Sequence, residues 1–195
     1  LAAFLSSDRF DGLNVTIPYK KAVIPYLSAL SDTARAIGAV NTIVRRPDGT
    51  LWGDNTDAYG FAMLVRSSGA DVKGKKALVF GSGGASATAQ YVLKTLGARE
   101  VVVISRSGEN NYENLERHAD AEIAVNATPV GMYPNTGVSP VDLGRLPKLE
   151  AALDVVYNPA RTAFLLQAEK RGLRTENGLL MLVAQAKKSC EDFTG

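Results

Sequence analysis

A glycine-rich turn lies between a short apolar run, residues 77–80, and a stretch with helical periodicity. The turn reads Gly81-Ser82-Gly83-Gly84-Ala85-Ser86. Gly81 lets the chain turn sharply after a strand, and Gly83 has no Cβ, so that a pyrophosphate can approach the backbone. The free N–H groups of the following helix then face that anion. This context favours a dinucleotide site over a turn without a ligand, although Ser86 stands where the motif has glycine or alanine.

The residues after the next apolar run, 101–104, distinguish the two nicotinamide dinucleotides. An NAD site has a carboxylate there, which accepts a hydrogen bond from the ribose 2′-hydroxyl. This chain has Ser105-Arg106-Ser107 instead, and a guanidinium can hold a 2′-phosphate by two hydrogen bonds. We therefore predict NADP as the cofactor. Two features leave NAD open as the alternative cofactor. Arg106 could equally be a surface arginine without a ligand, and Glu109 is a carboxylate close by in the sequence.

Polar side chains also follow three strand-like runs in the first 60 residues. They are Asn14, Thr16 and Lys20, then Asn41, then Asp57. Open α/β sheets place ligands at strand ends, and amides and hydroxyls there fit a polyhydroxylated small molecule. A lysine beside an aspartate can exchange a proton with a carbinol oxygen. Taken singly, Lys20 equally fits a solvated lysine and Asp57 a helix cap.

Alternating strands and helices must position these residues. Strand, glycine turn, helix and strand over residues 77–104 form the βαβ unit of a parallel sheet. Later strands are predicted at 123–125 and 152–156, and helices at 161–170 and 179–190. This pattern predicts an α/β fold.

The first 60 residues have a different pattern. Residues 13–17 alternate polar and apolar side chains, as a half-buried strand does. Pro18 suits the first position of a short helix, and Ser31 or Asp32 suits the cap of a second one. A hairpin is predicted within residues 39–53.

Composition excludes several classes of protein. The chain has 195 residues, with 22 Lys and Arg against 20 Asp and Glu, so nothing indicates nucleic acid or a membrane surface as a partner. A single cysteine, Cys190, allows no intrachain disulfide and indicates a reducing compartment, so we expect a cytoplasmic protein. One histidine and one cysteine cannot form a usual zinc site, so no metal is expected. The histidine, His118, lies in a charge-rich stretch and is predicted to be solvated.

Seven stretches of the chain, in order, closely resemble the shikimate dehydrogenase family. They are residues 14–20, 38–42, 55–57, 81–86, 126–132, 154–159 and 178–186. The resemblance implies a Rossmann-like NADP-binding domain, assigned to residues 61–178, and a smaller α/β substrate domain, assigned to 1–60 and 179–195. It also implies an NADP-dependent oxidoreductase that interconverts 3-dehydroshikimate and shikimate in aromatic amino-acid biosynthesis through chorismate.

The resemblance also implies roles for particular side chains. Lys20 and Asp57 match the family's catalytic pair. The expected substrate-binding residues are Asn14, Thr16, Asn41, Tyr157 and Gln185. The expected cofactor-binding residues are Gly81, Ser82, Gly83, Gly84 and Ala85 in the glycine turn, Ser105, Arg106 and Ser107 at the adenosine phosphate, and Thr128, Val130, Gly178 and Met181 beside the nicotinamide.

The chain departs from the family at two places. The family's opening strand and serine-rich substrate motif are absent upstream of Leu1, so the substrate domain is expected to be incomplete at its N-terminus. Only residues 108–122 separate two strands where the family usually has an extra helix, so a short sheet is expected at that edge.

Three alternatives stand beside the prediction of a shikimate dehydrogenase. The first is an enzyme that also accepts quinate, and the second is a truncated NADP-binding fragment without activity. The third, a general Rossmann reductase for another ketone, leaves Lys20, Asn41 and Asp57 unexplained. The partner is expected to be a small-molecule substrate, and the active form a monomer or a homodimer.

Overall fold

The computed structural model describes residues 1–7 and 9–195, and the first part of this chain builds a small sheet. Its elements are α1 (Ala2–Leu5), β1 (Gly12–Asn14), β2 (Ala29–Leu30), α2 (Asp32–Ile37), β3 (Thr42–Arg45) and β4 (Leu51–Asp54). Among the described residues the strand order is β1-β3-β4-β2, with β3 antiparallel to both neighbours and β2 parallel to β4. Strands β3 and β4 form the predicted hairpin, which pairs Thr42 with Asp54.

Helix α2 begins and ends as its sequence predicts. The Ser31 hydroxyl accepts a hydrogen bond from the Ala34 amide at 2.9 Å, which satisfies one of the free amides of the first turn. Gly38 ends the helix with a φ of 70°, a conformation that glycine adopts without strain.

The prediction that a helix begins at Pro18 is wrong. Residues 17–23 form turns, followed by a short 3-10 helix, Ile24–Tyr26. The Lys20 carbonyl accepts a hydrogen bond from the Val40 amide at 2.8 Å, so it is not available to an amide four residues later. This backbone pairing holds the turn that carries Lys20 against the end of the small sheet.

The rest of the chain builds a larger α/β unit. Its elements are α3 (Asp57–Ser68), β5 (Lys76–Phe80), α4 (Gly84–Thr95), β6 (Glu100–Ile104), β7 (Ile123–Asn126), β8 (Ala151–Asp154), α5 (Ala163–Lys170), β9 (Arg174–Glu176) and α6 (Leu179–Thr194). The described strands form a parallel sheet in the order β6-β5-β7-β8-β9. The strand order reverses between β5 and β7, which is where such sheets bind ligands. The predicted fold class is confirmed.

Apolar side chains cover both faces of the larger sheet. Strands β5, β7 and β8 are buried along their whole lengths, and each is apolar except for one polar residue at an end, Lys76, Asn126 and Asp154 respectively. Phe61 and Leu64 of α3 and Leu93 of α4 pack on one face, and Phe164 of α5 packs with Leu143 on the other. The carboxyl ends of these strands are thereby held in fixed relative positions.

Helices α3 and α6 connect the two units. Gly60 lies so close to α6 that a Cβ on it would be 2.5 Å from the carbonyl oxygen of Met181. Further along α6, the Ser189 hydroxyl lies 2.7 Å from the Thr42 hydroxyl and 2.9 Å from that of Thr56. Helix α6 therefore contacts both units, and the domain boundary predicted after residue 60 falls inside α3.

The connection after β6 is a compact loop. The Ser105 amide donates to the Asn110 carbonyl at 3.1 Å. The side-chain oxygen of Asn111 accepts hydrogen bonds from the amides of Glu113 and Asn114 at 2.9 and 3.2 Å. These bonds close the loop without an additional strand, so β6 lies at the edge of the described sheet, as expected.

The environment predicted for His118 is wrong. Its side chain is buried, with 8% of the residue exposed, because it ends a 3-10 helix, Leu115–His118, that packs inward. Its Nε2 lies 2.9 Å from Oδ1 of Asn110, and burial lowers the pKa of the imidazole.

Cys190 is exposed and forms no disulfide. Within residues 1–7 and 9–195, no helix combines the length and apolarity that a membrane span needs.

Candidate active site

A cavity of about 490 Å³, here called the first cavity, is lined by residues of both units. It brings together every residue predicted to be catalytic or substrate-binding. They are Asn14, Thr16, Lys20, Asn41, Asp57, Tyr157 and Gln185. Sequence reasoning missed four apolar residues of its wall, which stand next to predicted ones in the chain: Val15, Ile17, Val155 and Leu182.

The first cavity contains an ion pair between Lys20 and Asp57. Lys20 Nζ lies 2.5 Å from Asp57 Oδ2, and the two side chains are 24% and 18% exposed. Asp57 is the first residue of α3, where a carboxylate interacts favourably with the helix dipole. The ammonium therefore has a fixed anionic partner and still faces the cavity, so it can donate a proton to a ligand oxygen.

Asn41 lines the first cavity, but its side chain makes its hydrogen bonds to other residues of the protein. Its Nδ2 donates to the Thr56 hydroxyl at 3.0 Å, and its Oδ1 accepts from the Thr56 amide at 2.8 Å. The Thr42 hydroxyl also donates to Asn41 Oδ1 at 3.0 Å. This buried network fixes the backbone immediately before Asp57 and thus sets the position of the carboxylate.

A second cavity, of about 610 Å³, opens at the glycine turn. Gly81 has a φ of 104°, and a Cβ there would lie 2.9 Å from Thr128 Cγ2. A Cβ on Gly83 or Gly84 would meet no atom within 4 Å. The turn thus has one glycine that the fold requires and two that leave open space beside the backbone.

The second cavity fits a dinucleotide with a 2′-phosphate. The open space at the glycine turn lies at the N-terminus of α4, whose first amides can bind a pyrophosphate. Arg106 lines the same cavity at the end of β6, where the 2′-substituent of the adenosine ribose is held in such folds. Ser86 is buried and accepts a hydrogen bond from Gln90 Nε2 at 3.2 Å, so serine is accommodated at the third small position of the motif.

A buried network shapes the loop after β7, on the wall of the second cavity. Asn126 Oδ1 accepts hydrogen bonds from the Thr128 amide at 3.1 Å and the Thr128 hydroxyl at 2.6 Å. Asn126 Nδ2 donates to the Val130 carbonyl at 3.2 Å and to Asp154 Oδ1 at 3.0 Å. Asn126 therefore positions both loop residues that were predicted to lie beside the nicotinamide.

Asp154, at the end of β8, accepts a hydrogen bond from Asn126 and so fixes the position of the Asn126 side chain. It is fully buried and accepts hydrogen bonds from the Val156 amide at 2.9 Å and the Thr162 hydroxyl at 2.7 Å, besides that from Asn126. Burial raises the pKa of this carboxyl from 3.8 to about 6, against the opposing effect of the hydrogen bonds. Its motif, residues 154–159, was recognised in the sequence, but its burial was not foreseen.

The predicted cofactor residues divide between the two cavities. The second cavity is lined by Gly81, Ser82, Gly83, Ser105, Arg106, Thr128 and Val130. The first is lined by Gly84, Ala85, Gly178 and Met181. Ser107 is exposed and lines neither. Sequence reasoning missed five lining residues of the second cavity: Tyr112, Ala127, Pro129, Ser139 and Pro140.

The fold and the two cavities define an NADP-dependent oxidoreductase with a Rossmann-like domain and a smaller catalytic domain. A family model described as the shikimate dehydrogenase substrate binding domain matches residues 1–43. A curated shikimate dehydrogenase (NADP(+)) from Clostridium perfringens is 40% identical over an alignment of 197 positions, which covers 94% of this chain and 72% of the relative. The chain belongs to the shikimate dehydrogenase family, as its sequence motifs predicted.

Solved structures of related dehydrogenases have the same fold as this chain. A shikimate 5-dehydrogenase from Thermus thermophilus, in complex with NADP(H) and shikimate, superimposes with a TM-score of 0.88 and 35% identity, covering 100% of this chain and 78% of that one. A quinate dehydrogenase from Corynebacterium glutamicum, in complex with NAD, gives a TM-score of 0.91 and 32% identity, covering 100% and 77%.

Proposed function

We propose that this chain catalyses the NADP-dependent, reversible reduction of 3-dehydroshikimate to shikimate, with Lys20 and Asp57 as its catalytic pair. The observation that carries the proposal is the ion pair between these residues on the wall of the first cavity, which Gly84 and Ala85 at the end of the glycine turn also line. The relatives named for this activity support it. The reaction is a step of aromatic amino-acid biosynthesis through chorismate.

Lys20 acts at the ketone oxygen of the substrate. NADPH, when bound, supplies the hydride that reduces the ketone carbon. Negative charge develops on the oxygen, and the Lys20 ammonium stabilises that charge and donates a proton to it. Asp57 holds the ammonium in place through the 2.5 Å contact. In the reverse direction Lys20 accepts the proton from the carbinol.

The remaining polar residues of the first cavity orient the substrate. Asn14, Thr16, Tyr157 and Gln185 line its wall and offer amide and hydroxyl groups that match the hydroxyls of a cyclohexene carboxylic acid. Asn41 contributes differently, because its amide is already bonded to Thr56. We assign to Asn41 the placement of Asp57, in addition to forming the cavity wall.

The residues that would hold the cofactor divide between the two cavities. The glycine turn and the N-terminus of α4 would bind the pyrophosphate, and Arg106, flanked by Ser105 and Ser107, would bind the 2′-phosphate. Thr128, Val130, Gly178 and Met181 would contact the nicotinamide. Gly178 and Met181 line the same cavity as Lys20, which supports a role for Lys20 at the reacting end of the cofactor.

Quinate is the second candidate substrate, since the C. glutamicum relative is named quinate dehydrogenase. That relative is in complex with NAD, whereas this chain has Arg106 in its second cavity and the second cavity fits a 2′-phosphate. The third possibility is a fragment that binds NADP and turns over no substrate.

We also propose a cytoplasmic location, supported by the single cysteine, and a monomer or homodimer as the active form.

A spectrophotometric assay of shikimate and quinate, each with NADP and with NAD, tests the proposal. We expect turnover to be fastest with shikimate and NADP. Lys20→Met should lower kcat by about 10²-fold or more, because proton transfer by a positioned side chain contributes 10²–10⁴-fold. NADPH binding should change little, since Lys20 is not among the residues assigned to the pyrophosphate, the 2′-phosphate or the nicotinamide. Wild-type turnover in this variant would show that the assignment of Lys20 is wrong, and NADPH binding without any turnover by the native chain would support the fragment.

A further inference from the structure

Tyr112 is an aromatic residue in an otherwise polar loop, and the reaction described above gives it no role. It lines the second cavity together with Ser105 and Arg106. Its ring stacks on that of Phe80, with centroids 6.1 Å apart and an interplanar angle of 25°. Phe80 is fully buried at the end of β5, so this stacking fixes the plane of the tyrosine ring.

The backbone of Tyr112 is also held in place. Arg145 Nη1 donates a hydrogen bond to the Tyr112 carbonyl at 2.8 Å, and the guanidinium of Arg145 forms an ion pair with Glu116. On the other side, the bond from the Ser105 amide to the Asn110 carbonyl closes the loop. Ring and backbone are therefore positioned before any ligand arrives, which lowers the entropy cost of a contact made by this side chain.

The hydroxyl of Tyr112 is free to bind a ligand. It has no hydrogen-bond partner in the part of the chain that the structure describes, residues 1–7 and 9–195. Burial raises the pKa of the phenol, and the nearby positive charge of Arg106 opposes this rise only in part. The group is therefore a protonated donor at neutral pH, and it lines the same cavity as the Arg106 guanidinium.

A phosphate held by Arg106 can accept more hydrogen bonds than the guanidinium and the neighbouring hydroxyls of Ser105 and Ser107 supply. Among the described residues that line the second cavity, Arg106 is the one charged side chain. A phosphate monoester has three acceptor oxygens, and a bidentate arginine engages two of them. We propose that Tyr112 is a specificity-determining residue whose hydroxyl donates a hydrogen bond to the 2′-phosphate held by Arg106, and so favours NADP over NAD. This inference rests on the proposed cofactor site, not on the identity of the substrate.

The test compares Tyr112→Phe with the native chain by calorimetric titration with 2′,5′-ADP and with 5′-AMP. The variant keeps the stacking on Phe80 and loses the hydroxyl alone. We expect binding of 2′,5′-ADP to weaken about tenfold, the usual effect of losing a hydrogen bond to a charged group. Binding of 5′-AMP should not change. Tyr26→Phe, in the small unit, is the matched control and should leave both affinities unchanged.

Three results would overturn the inference. They are equal affinities of the variant and the native chain for 2′,5′-ADP, equal losses for both nucleotides, and no binding of 2′,5′-ADP by the native chain. The titrations do not depend on Lys20 or on turnover. If the native chain is inactive and Tyr112→Phe still loses affinity for 2′,5′-ADP and not for 5′-AMP, the proposed function fails and the role of Tyr112 stands.

Discussion

At the scale of single residues, a buried carboxyl supports the cofactor loop. Asp154 accepts three hydrogen bonds, one of them from Asn126, which in turn positions Thr128 and Val130. A carboxylate can accept all three at once, and this explains why an acid is found at a position with no exposed surface. The hydrogen bonds compensate only in part for the lost hydration, because the pKa of Asp154 is raised to about 6.

The raised pKa of Asp154 predicts a pH dependence of stability. In the unfolded chain the carboxyl has its ordinary pKa of 3.8, so between about pH 4 and pH 6 the folded state binds more protons. The contribution of Asp154 to the free energy of unfolding therefore falls as the pH rises through this window, by on the order of 3 kcal/mol, and is constant above it. Asp154→Asn has no such dependence.

Urea unfolding of both proteins at pH 4, 5, 6 and 7 measures this effect, because the other titrating groups cancel in the difference. We expect the stability of the native chain relative to Asp154→Asn to fall from pH 4 to pH 6 and then to level off. A difference that does not change with pH would contradict the raised pKa.

At the scale of the elements, the turn between β5 and α4 combines two kinds of glycine. Gly81 has a φ of 104° and close neighbours, so the fold itself requires it. Gly83 has a φ of −84°, and its missing Cβ would point into open space. No contact within the fold therefore requires glycine at this position, and the open space is what the proposed pyrophosphate site needs.

Gly83→Ala separates these two requirements. Stability should change by less than about 0.5 kcal/mol, as for a substitution without steric conflict. Affinity for NADPH should fall at least about tenfold, because the new methyl group occupies the space that the pyrophosphate needs. Titration of NADPH fluorescence and urea unfolding measure the two quantities. An unchanged NADPH affinity would mean that the pyrophosphate does not approach this turn.

The sequence predicted those elements that carry a strong local signal. Residues 77–80 of β5 and 123–125 of β7 are apolar without interruption, because a central strand of a parallel sheet is buried on both faces. Helix α2 was predicted from its capping residue. Strand β9 was missed: Arg174, Thr175 and Glu176 have no apolar pattern, and an edge position next to β8 does not require one. The 17–23 turn was also missed, because the pairing of Lys20 with Val40 is a contact between distant residues.

In the candidate site, too, the residues with a local sequence signal were predicted, and those that depend on contacts between distant residues were missed. Lys20 and Asp57 were found because a lysine and an aspartate stand in recognisable motifs, and both lie in the first cavity. Tyr112 was missed because an isolated aromatic residue in a polar loop gives no periodic signal. Only the folded loop shows that its ring reaches Phe80 and the second cavity.

At the scale of the whole molecule, α6 connects the end of the chain to its beginning. Its first half carries Met181 and Gln185 to the first cavity, and its second half buries Ser189 against Thr42 and Thr56 of the small unit. The wall of the cavity and the attachment of the last helix thus depend on the same element.

Ser189→Ala should weaken this attachment. The substitution removes the contact that the Ser189 hydroxyl makes with each of the Thr42 and Thr56 hydroxyls, which keep their contacts with Asn41. The loss of these hydrogen bonds should cost about 1 kcal/mol. Cys190→Ser is the matched control, since Cys190 is exposed at the next position of the same helix and should change stability by less than about 0.5 kcal/mol. Urea unfolding compares the two. Equal stabilities would show that the hydroxyl network contributes nothing to the attachment.

The glycine at position 60 has a consequence for the geometry of the first cavity. Because Gly60 lies against the Met181 carbonyl, the backbones of α3 and α6 meet at this point with no side chain between them. Helix α3 begins at Asp57, and α6 carries Gln185, and both of these side chains line the first cavity. A larger residue at position 60 would push the two helices apart, and would thereby widen the cavity between an acid and an amide that face the same ligand.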